Sequence, residues 1–209
     1  LNHNEDNSFQ FEITGDLLDP SIIDYINEKA PKNLFRFEIG IQSTNIETNL
    51  SVGRIQNNEK LFNNIRKIQD AGIIDLHLDL IAGLPEESVE DFKNSLDTMI
   101  ELGAENITVH TLAVKRASRL KEVDAQFNYR KEEIREEMLS YAHEKLAEEG
   151  YLPYYLYRQK HTSGSTENMG FCKNDTISAY NVRIMEEAQS ILALGAGGIS
   201  KVYYPEENR

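Results

Sequence analysis

The feature that most constrains the fold is a regular alternation of short β-rich runs with longer helical runs. This alternation is typical of βα units, whose strands lie parallel in one sheet. The sequence predicts four strands in the first 150 residues, at 9–14, 34–42, 76–81 and 106–114. It predicts the helices that follow them at 21–29, 59–70, 88–102 and 130–149. The expected fold class is therefore α/β, a partial (β/α) barrel.

The pattern changes after residue 150. We predict an aromatic-rich strand, a loop, a helix and a last strand, at 152–158, 164–175, 180–192 and 199–204. These features suggest a barrel part at 1–150 and an α+β extension on the substrate side at 151–209. Four parallel strands cannot close a barrel, and unpaired sheet edges favour association. We therefore expect either further strands before Leu1 or self-association through the open barrel edges.

Composition excludes several classes of function. The chain has 22 basic and 35 acidic residues, a net charge of −13, which argues against a nucleic-acid partner. The longest apolar runs, 76–84 and 191–196, are far shorter than the roughly 20 residues that cross a bilayer. The single cysteine, Cys172, allows no intrachain disulfide and fits a reducing compartment. We expect a cytoplasmic protein with no membrane partner.

Polar residues follow the predicted strands at the positions where βα barrels carry their reactive groups, the carboxyl ends. Glu12, Gln42 and Asp79 occupy such positions, and Arg54 lies in the segment after the second strand. Asp79 stands between two leucines, and a carboxylate there needs a partner if it points inward. The alternative is a residue on the solvent side of a half-exposed strand. The sequence leaves both interpretations open.

Longer motifs resemble known families. The central barrel of radical S-adenosylmethionine (SAM) enzymes is similar to the segments 37–43, 52–54 and 78–85. Oxygen-independent coproporphyrinogen III oxidases (coproporphyrinogen dehydrogenases) are similar to the segments 108–120, 153–160, 167–170 and 194–201. The segments 11–19 and 42–45 most resemble radical SAM proteins that carry a cobalamin-binding domain.

The resemblance implies roles for matching residues. Arg54 would pair with the carboxylate of SAM, and Glu12, Gln42 and Asp79 would hydrogen-bond its ribose and neighbouring polar atoms. Two further residues would let the adenine approach the backbone, Ala82 and Gly83. In the family, a [4Fe-4S] cluster cleaves SAM to a radical, and substrate propionates become vinyl groups in heme biosynthesis. No residue of this chain is assigned as catalytic.

The chain departs from the family pattern in its thiols. The cluster needs a Cys-x-x-x-Cys-x-x-Cys loop, whereas the chain has only Cys172. The glycine-rich segment that would bind the SAM amino group is also missing. We therefore expect no metal ligands in this chain, which would cover strands three to six of the barrel and a tail. We expect it to be inactive alone.

A basic cluster could bind the propionates of a tetrapyrrole substrate. It consists of residues that follow two successive β-like segments: Lys115, Arg116, Arg119, Arg158 and Lys160. The alternative is a set of ordinary surface ion pairs, which contribute little. Two other functions remain open. The chain could be part of a cobalamin-dependent radical SAM enzyme with another substrate, or a cluster-free protein that binds a tetrapyrrole or a partner.

Overall fold

The computed structural model describes residues 9–29, 35–73, 75–113, 132–157, 167–173, 176–186, 190–195, 198–204 and 206. The described strands are β1 (Phe9–Ile13), β2 (Phe35–Gln42), β3 (Leu76–Ala82), β4 (Asn106–Thr111), β5 (Leu152–Tyr157) and β6 (Asn168–Cys172). The described helices are α1 (Pro20–Lys29), α2 (Ile46–Ser51), α3 (Asn58–Asp70), α4 (Val89–Glu101), α5 (Glu132–Glu148) and α6 (Ala179–Glu186). All six strands form one sheet in the order β1-β2-β3-β4-β6-β5.

The first four strands are parallel neighbours, which confirms the predicted α/β class and the partial barrel. Successive side chains of a strand point to opposite faces of the sheet, so alternating apolar and polar residues give it one apolar and one polar face. In β2, Phe37, Ile39 and Ile41 are fully buried in the apolar core. Arg36 and Glu38, which alternate with these residues along the strand, lie on the opposite, polar face, which carries the candidate site described below.

Helices cover the apolar face, and local sequence fixes their ends. In α4, the Ser88 side chain accepts a hydrogen bond from the Asp91 amide, and the Asp91 side chain accepts one from the Ser88 amide. This capping box satisfies amides that otherwise lack partners at a helix start. Residues at helical spacing in α4, Phe92, Leu96 and Met99, are fully buried against the sheet.

The predicted loop at 164–175 is wrong, because it contains β6. This strand pairs antiparallel with both β4 and β5. The Asn168 side chain accepts a hydrogen bond of 2.6 Å from the Thr111 amide, and Phe171 packs into the core. The edge of β4 is therefore paired within the chain. Self-association through other edges stays a prediction.

The chain divides into two compact units, Leu1–Thr176 and Ile177–Arg209. In the second unit, α6 ends at Glu186 and Ile191 forms an isolated antiparallel bridge with Lys201. The predicted helix at 180–192 is therefore confirmed over 180–186 but not at 190–192, and the predicted strand at 199–204 is wrong. The predicted domain boundary at residue 150 stays a prediction, although β5 and β6 extend the same sheet. No helix in the described ranges is long and apolar enough to cross a membrane.

Candidate functional site

A cavity of about 260 Å³ lies where β1, β2 and β3 reach their carboxyl ends. Parallel strands end at the same edge of a sheet, so residues far apart in sequence meet there. The cavity is lined by Glu12, Ile13, Thr14, Glu38, Gly40, Gln42, Arg54 and Asp79. The structure therefore brings together four of the predicted site residues: Glu12, Gln42, Arg54 and Asp79.

Arg54 reaches the cavity because α2 ends in a tight turn. Gly53 adopts a φ of 76°, a left-handed conformation that favours glycine. The Arg54 amide then donates a hydrogen bond of 2.9 Å to the Asn49 carbonyl. The guanidinium donates to the Gly40 carbonyl and, at 3.1 Å, to Oε1 of Gln56. Burial lowers the pKa of Arg54 and the nearby Asp16 charge opposes this, but an arginine remains a cation in proteins.

Gln42 ends β2 in a strained conformation. Its φ is 67°, in the left-handed region that residues with a side chain rarely adopt. The pairing of β2 with β3 shifts register between Gly40 and Gln42. Oε1 of Gln42 is buried, and no hydrogen-bond donor reaches it from the described residues. A strained backbone and an unsatisfied buried oxygen at one residue are typical of a ligand-binding position.

Three carboxyl groups share the cavity wall: Glu12, Glu38 and Asp79. Oε2 of Glu38 accepts a hydrogen bond of 2.6 Å from the Gln10 side chain. Burial, followed by the charges of Asp79 and Glu12, raises the pKa of Glu38 to about 8. Glu38 therefore holds a proton at neutral pH. The sequence analysis missed this residue, although its position between Phe37 and Ile39 marks it as facing away from the core.

Asp79 points inward, with 14% of its side chain exposed. Its Oδ1 lies 3.4 Å from Nε2 of His77 and 3.4 Å from Nε2 of His110. The structure thus favours the inward interpretation of Asp79 and places two histidine rings beside its carboxylate, although neither makes a hydrogen bond of good geometry to Oδ1. His77 is fully buried, and burial lowers its pKa to about 4, so the imidazole is neutral at pH 7.

A chain of polar contacts crosses the sheet beneath the cavity. Arg36 donates to Oδ2 of Asp75 at 2.9 Å and to Nδ1 of His77 at 3.1 Å. Nε2 of His77 lies 2.6 Å from the Thr108 hydroxyl, which lies 2.8 Å from the Tyr155 hydroxyl. These contacts link side chains of β2, β3, β4 and β5 and restrict the residues that surround Asp79.

Ala82 and Gly83 do not line the cavity. Ala82 is fully buried among apolar side chains of the core. Gly83 has a φ of 84°, and a Cβ there would lie 2.5 Å from side-chain carbons of Arg135. Packing and backbone conformation therefore explain both small residues without a ligand. Their role beside an adenine stays a prediction.

The predicted basic cluster of Lys115, Arg116, Arg119, Arg158 and Lys160 lies outside the described residues. Within the ranges that the structure does describe, no group of three or more histidine, cysteine or acidic side chains could hold a metal ion. Cys172 is buried in β6, opposite Asn106 of β4 and Leu152 of β5.

Comparison with known proteins shows related sequences and folds. Residues 1–99 match the family model of the radical SAM superfamily. The oxygen-independent coproporphyrinogen-III oxidase-like protein HemZ of Bacillus subtilis is 38% identical over 166 residues, which are 79% of this chain and 33% of that protein. The oxygen-independent coproporphyrinogen III oxidase of Escherichia coli is 27% identical over 154 residues, 69% of this chain and 33% of that protein.

The solved structure of coproporphyrinogen III oxidase (HemN) from Escherichia coli, a radical SAM enzyme, has a similar fold. The TM-score is 0.63 at 20% sequence identity, over 95% of this chain and 45% of that one. The chain spans about a third of the length of each of the two curated relatives described above.

Proposed function

Given that the chain is a member of the radical SAM superfamily that resembles the oxygen-independent coproporphyrinogen III oxidases, we propose that its cavity binds SAM. The observation that carries this proposal is the meeting of Arg54 with Glu12, Gln42 and Asp79 around one cavity. These residues come from three strands and a helix end, and each matches a position that the family resemblance assigns to SAM.

The chemistry of the cavity fits the charges of SAM. The ligand carries a carboxylate, a cationic sulfonium and a ribose with two hydroxyl groups. Arg54 supplies a guanidinium for the carboxylate. The carboxylates of Glu12 and Asp79 can accept hydrogen bonds from the hydroxyls, and their charge favours a nearby cation. The unsatisfied Oε1 of Gln42 can accept from an amino or hydroxyl group.

Each residue then has a defined task. Arg54 fixes one end of the ligand, because its guanidinium is already held by the Gly40 carbonyl and Gln56. Asp79 fixes the ribose from β3, and Glu38 stays neutral beside it and avoids a third negative charge. Given an electron from the reduced cluster of the family, SAM would supply radical chemistry that removes hydrogen atoms from unactivated carbon. The protein supplies binding and orientation.

The [4Fe-4S] cluster of the family does not fit the thiols of this chain. Three thiolates must hold the cluster, and the single Cys172 is buried in β6. We therefore assign no step through the cluster and expect no turnover by this chain alone.

The first test is SAM binding by the purified chain, measured by isothermal titration calorimetry. We expect saturable binding and a 10- to 100-fold weaker affinity for both Arg54→Ala and Asp79→Ala, because a hydrogen bond to a charged group contributes about 1.5–3 kcal/mol. Arg66→Ala and Asp24→Ala remove the same charges from the exposed sides of α3 and α1. These two controls should bind as the unsubstituted chain does. Absence of SAM binding by the unsubstituted chain would refute the proposed function.

The substrate is the second part of the proposal. One relative is named a coproporphyrinogen III oxidase and the other a coproporphyrinogen-III oxidase-like protein. We therefore expect a tetrapyrrole with several propionates, held by the predicted basic cluster. Titration of coproporphyrin by fluorescence should give an affinity that falls about tenfold in Arg116→Ala and in Arg119→Ala, because each loses a charged hydrogen bond. Unchanged affinity in both variants would remove the propionate assignment and leave the SAM site unaffected. The cytoplasm remains the expected location.

A further inference from the structure

Both histidines beside Asp79 have their other ring nitrogen occupied. Nδ1 of His77 lies 3.1 Å from a guanidinium nitrogen of Arg36. Nδ1 of His110 lies 3.2 Å from the hydroxyl oxygen of Tyr157. The guanidinium can only donate, so Nδ1 of His77 must accept. A hydroxyl can donate or accept a hydrogen bond. When the Tyr157 hydroxyl donates, Nδ1 of His110 accepts, as Nδ1 of His77 does.

This arrangement decides where the ring protons lie. A neutral imidazole has one N–H, and when Nδ1 accepts, the proton must be on Nε2. The Nε2 atoms of both rings are the ones that lie 3.4 Å from Oδ1 of Asp79. The low pKa of His77 supports a neutral ring. The Nε2 atoms of both rings, one on β3 and one on β4, thus lie beside one carboxylate oxygen.

The contacts of the carboxylate with the two rings are long, at 3.4 Å each. Oδ1 of Asp79 is buried, yet within the described part of the structure it makes no hydrogen bond of good geometry. His77 directs its N–H mainly to the Thr108 hydroxyl, at 2.6 Å. Hydrogen bonds in a site without ligand are often long and shorten in the complex. Oδ2 is then the atom left for a ligand.

We propose that His110 and His77 are positioning residues that hold Oδ1 of Asp79 through Nε2–H, so that Oδ2 accepts from a ligand hydroxyl. The inference rests on the proposed SAM site and adds the residues that orient its central carboxylate. Tyr157 and Arg36 act one contact further out, since they keep each ring in the required tautomer. Tyr157 lies on β5, so a strand that does not line the cavity contributes to its geometry.

The first test needs no ligand. Nitrogen-15 NMR of the imidazole rings should show the Nε2–H tautomer for both His77 and His110 at pH 7. Tyr157→Phe should shift His110 towards a mixture of tautomers and leave His77 unchanged, because the two rings have different Nδ1 partners. An Nδ1–H tautomer at either ring of the unsubstituted chain would overturn the proposal.

The second test is a double-mutant cycle on SAM affinity. His110→Phe keeps a ring without an N–H, and we expect it to weaken binding roughly tenfold. His110→Gln returns an N–H near the Nε2 position and should recover the affinity to within about threefold. In an Asp79→Ala background, His110→Phe should have no further effect, because residues that act through one contact are not additive. Equal losses in both backgrounds, or no loss at all, would contradict the positioning role.

The two tests separate the inference from the proposed function. If the unsubstituted chain fails to bind SAM while both rings show Nε2–H, the SAM assignment fails and the orientation of Asp79 by its histidines stands. If SAM binds and depends on Asp79 but not on His110, only the positioning role fails.

Discussion

Glutamine in place of Glu38 is expected to raise the free energy of unfolding at pH 9 by roughly 2–4 kcal/mol. The pKa of Glu38 is about 8 in the folded chain, against an ordinary value of 4.5. The folded state therefore binds the proton more tightly than the unfolded state. The stability of the unsubstituted chain falls as pH rises from about 4.5 to about 8, whereas a glutamine has no proton to lose.

The measurement is urea unfolding of both proteins at pH 5, 7 and 9. The difference between them should be small at pH 5 and largest at pH 9. His77 acts in the opposite direction: its lowered pKa of about 4 costs stability as pH falls below 6.5. Oε2 of Glu38 lies 3.8 Å from Nδ1 of His77, so the comparison rests on pH 7 and pH 9, where the imidazole is neutral. Glu144→Gln, on an exposed position of α5, is the control. A difference that does not grow with pH would show that Glu38 is ionised in the fold.

Alanine at Gly170 is expected to lower the free energy of unfolding by about 3 kcal/mol. Gly170 is buried in β6, directly opposite Tyr155 of β5. A Cβ there would overlap the Tyr155 ring. That ring cannot move freely, because its hydroxyl contacts Thr108 and its face stacks on Tyr157 at 6.2 Å. The methyl group would therefore displace a ring that belongs to the polar contacts beneath the cavity.

The cause of this destabilisation can be identified by introducing Gly170→Ala into two variants of Tyr155. In Tyr155→Leu, the ring is gone, and Gly170→Ala should then cost less than about 1 kcal/mol. In Tyr155→Phe, the ring remains without its hydroxyl, and the cost of Gly170→Ala should stay close to its full value. Urea unfolding measures all six proteins. An equal cost in the leucine background would show that the loss comes from the strand backbone and not from the ring.

Local patterns predicted the parallel part of the fold well. The predicted bounds lie within a few residues of the observed ones for strands β1 to β4 and helices α1, α3, α4 and α5. Apolar periodicity and helix caps depend only on residues that are close in sequence, so a single sequence reveals them. The strand β6 was missed for a physical reason. Its five residues include Asn168 and Gly170, which are poor strand formers, and it is a strand because of its pairing with β4 and β5.

The site residues were predicted from their positions near the ends of the predicted strands. Glu38 and His77 were missed because this criterion does not select residues inside a strand. Glu12 and Gln42 lie at or near the carboxyl ends of their strands and were predicted, as was Asp79, which lies at the middle of β3. Glu38 and His77 lie further back, in the strand interiors, where only the alternation of polar with apolar residues marks them. Their pKa shifts depend on neighbours from other strands, which a single sequence does not reveal.

Because of the register shift in β2, the cavity wall should respond differently to substitutions than to insertions or deletions. Gly40 lies opposite Asp79, but Gln42 lies opposite Leu80, so β2 advances two residues while β3 advances one. The extra residue, Ile41, is fully buried in the core. Deleting one residue here would exchange the faces of everything that follows, and Gln42 would leave the wall although its identity is unchanged. Point substitutions at this edge should therefore be tolerated far more often than single-residue insertions or deletions.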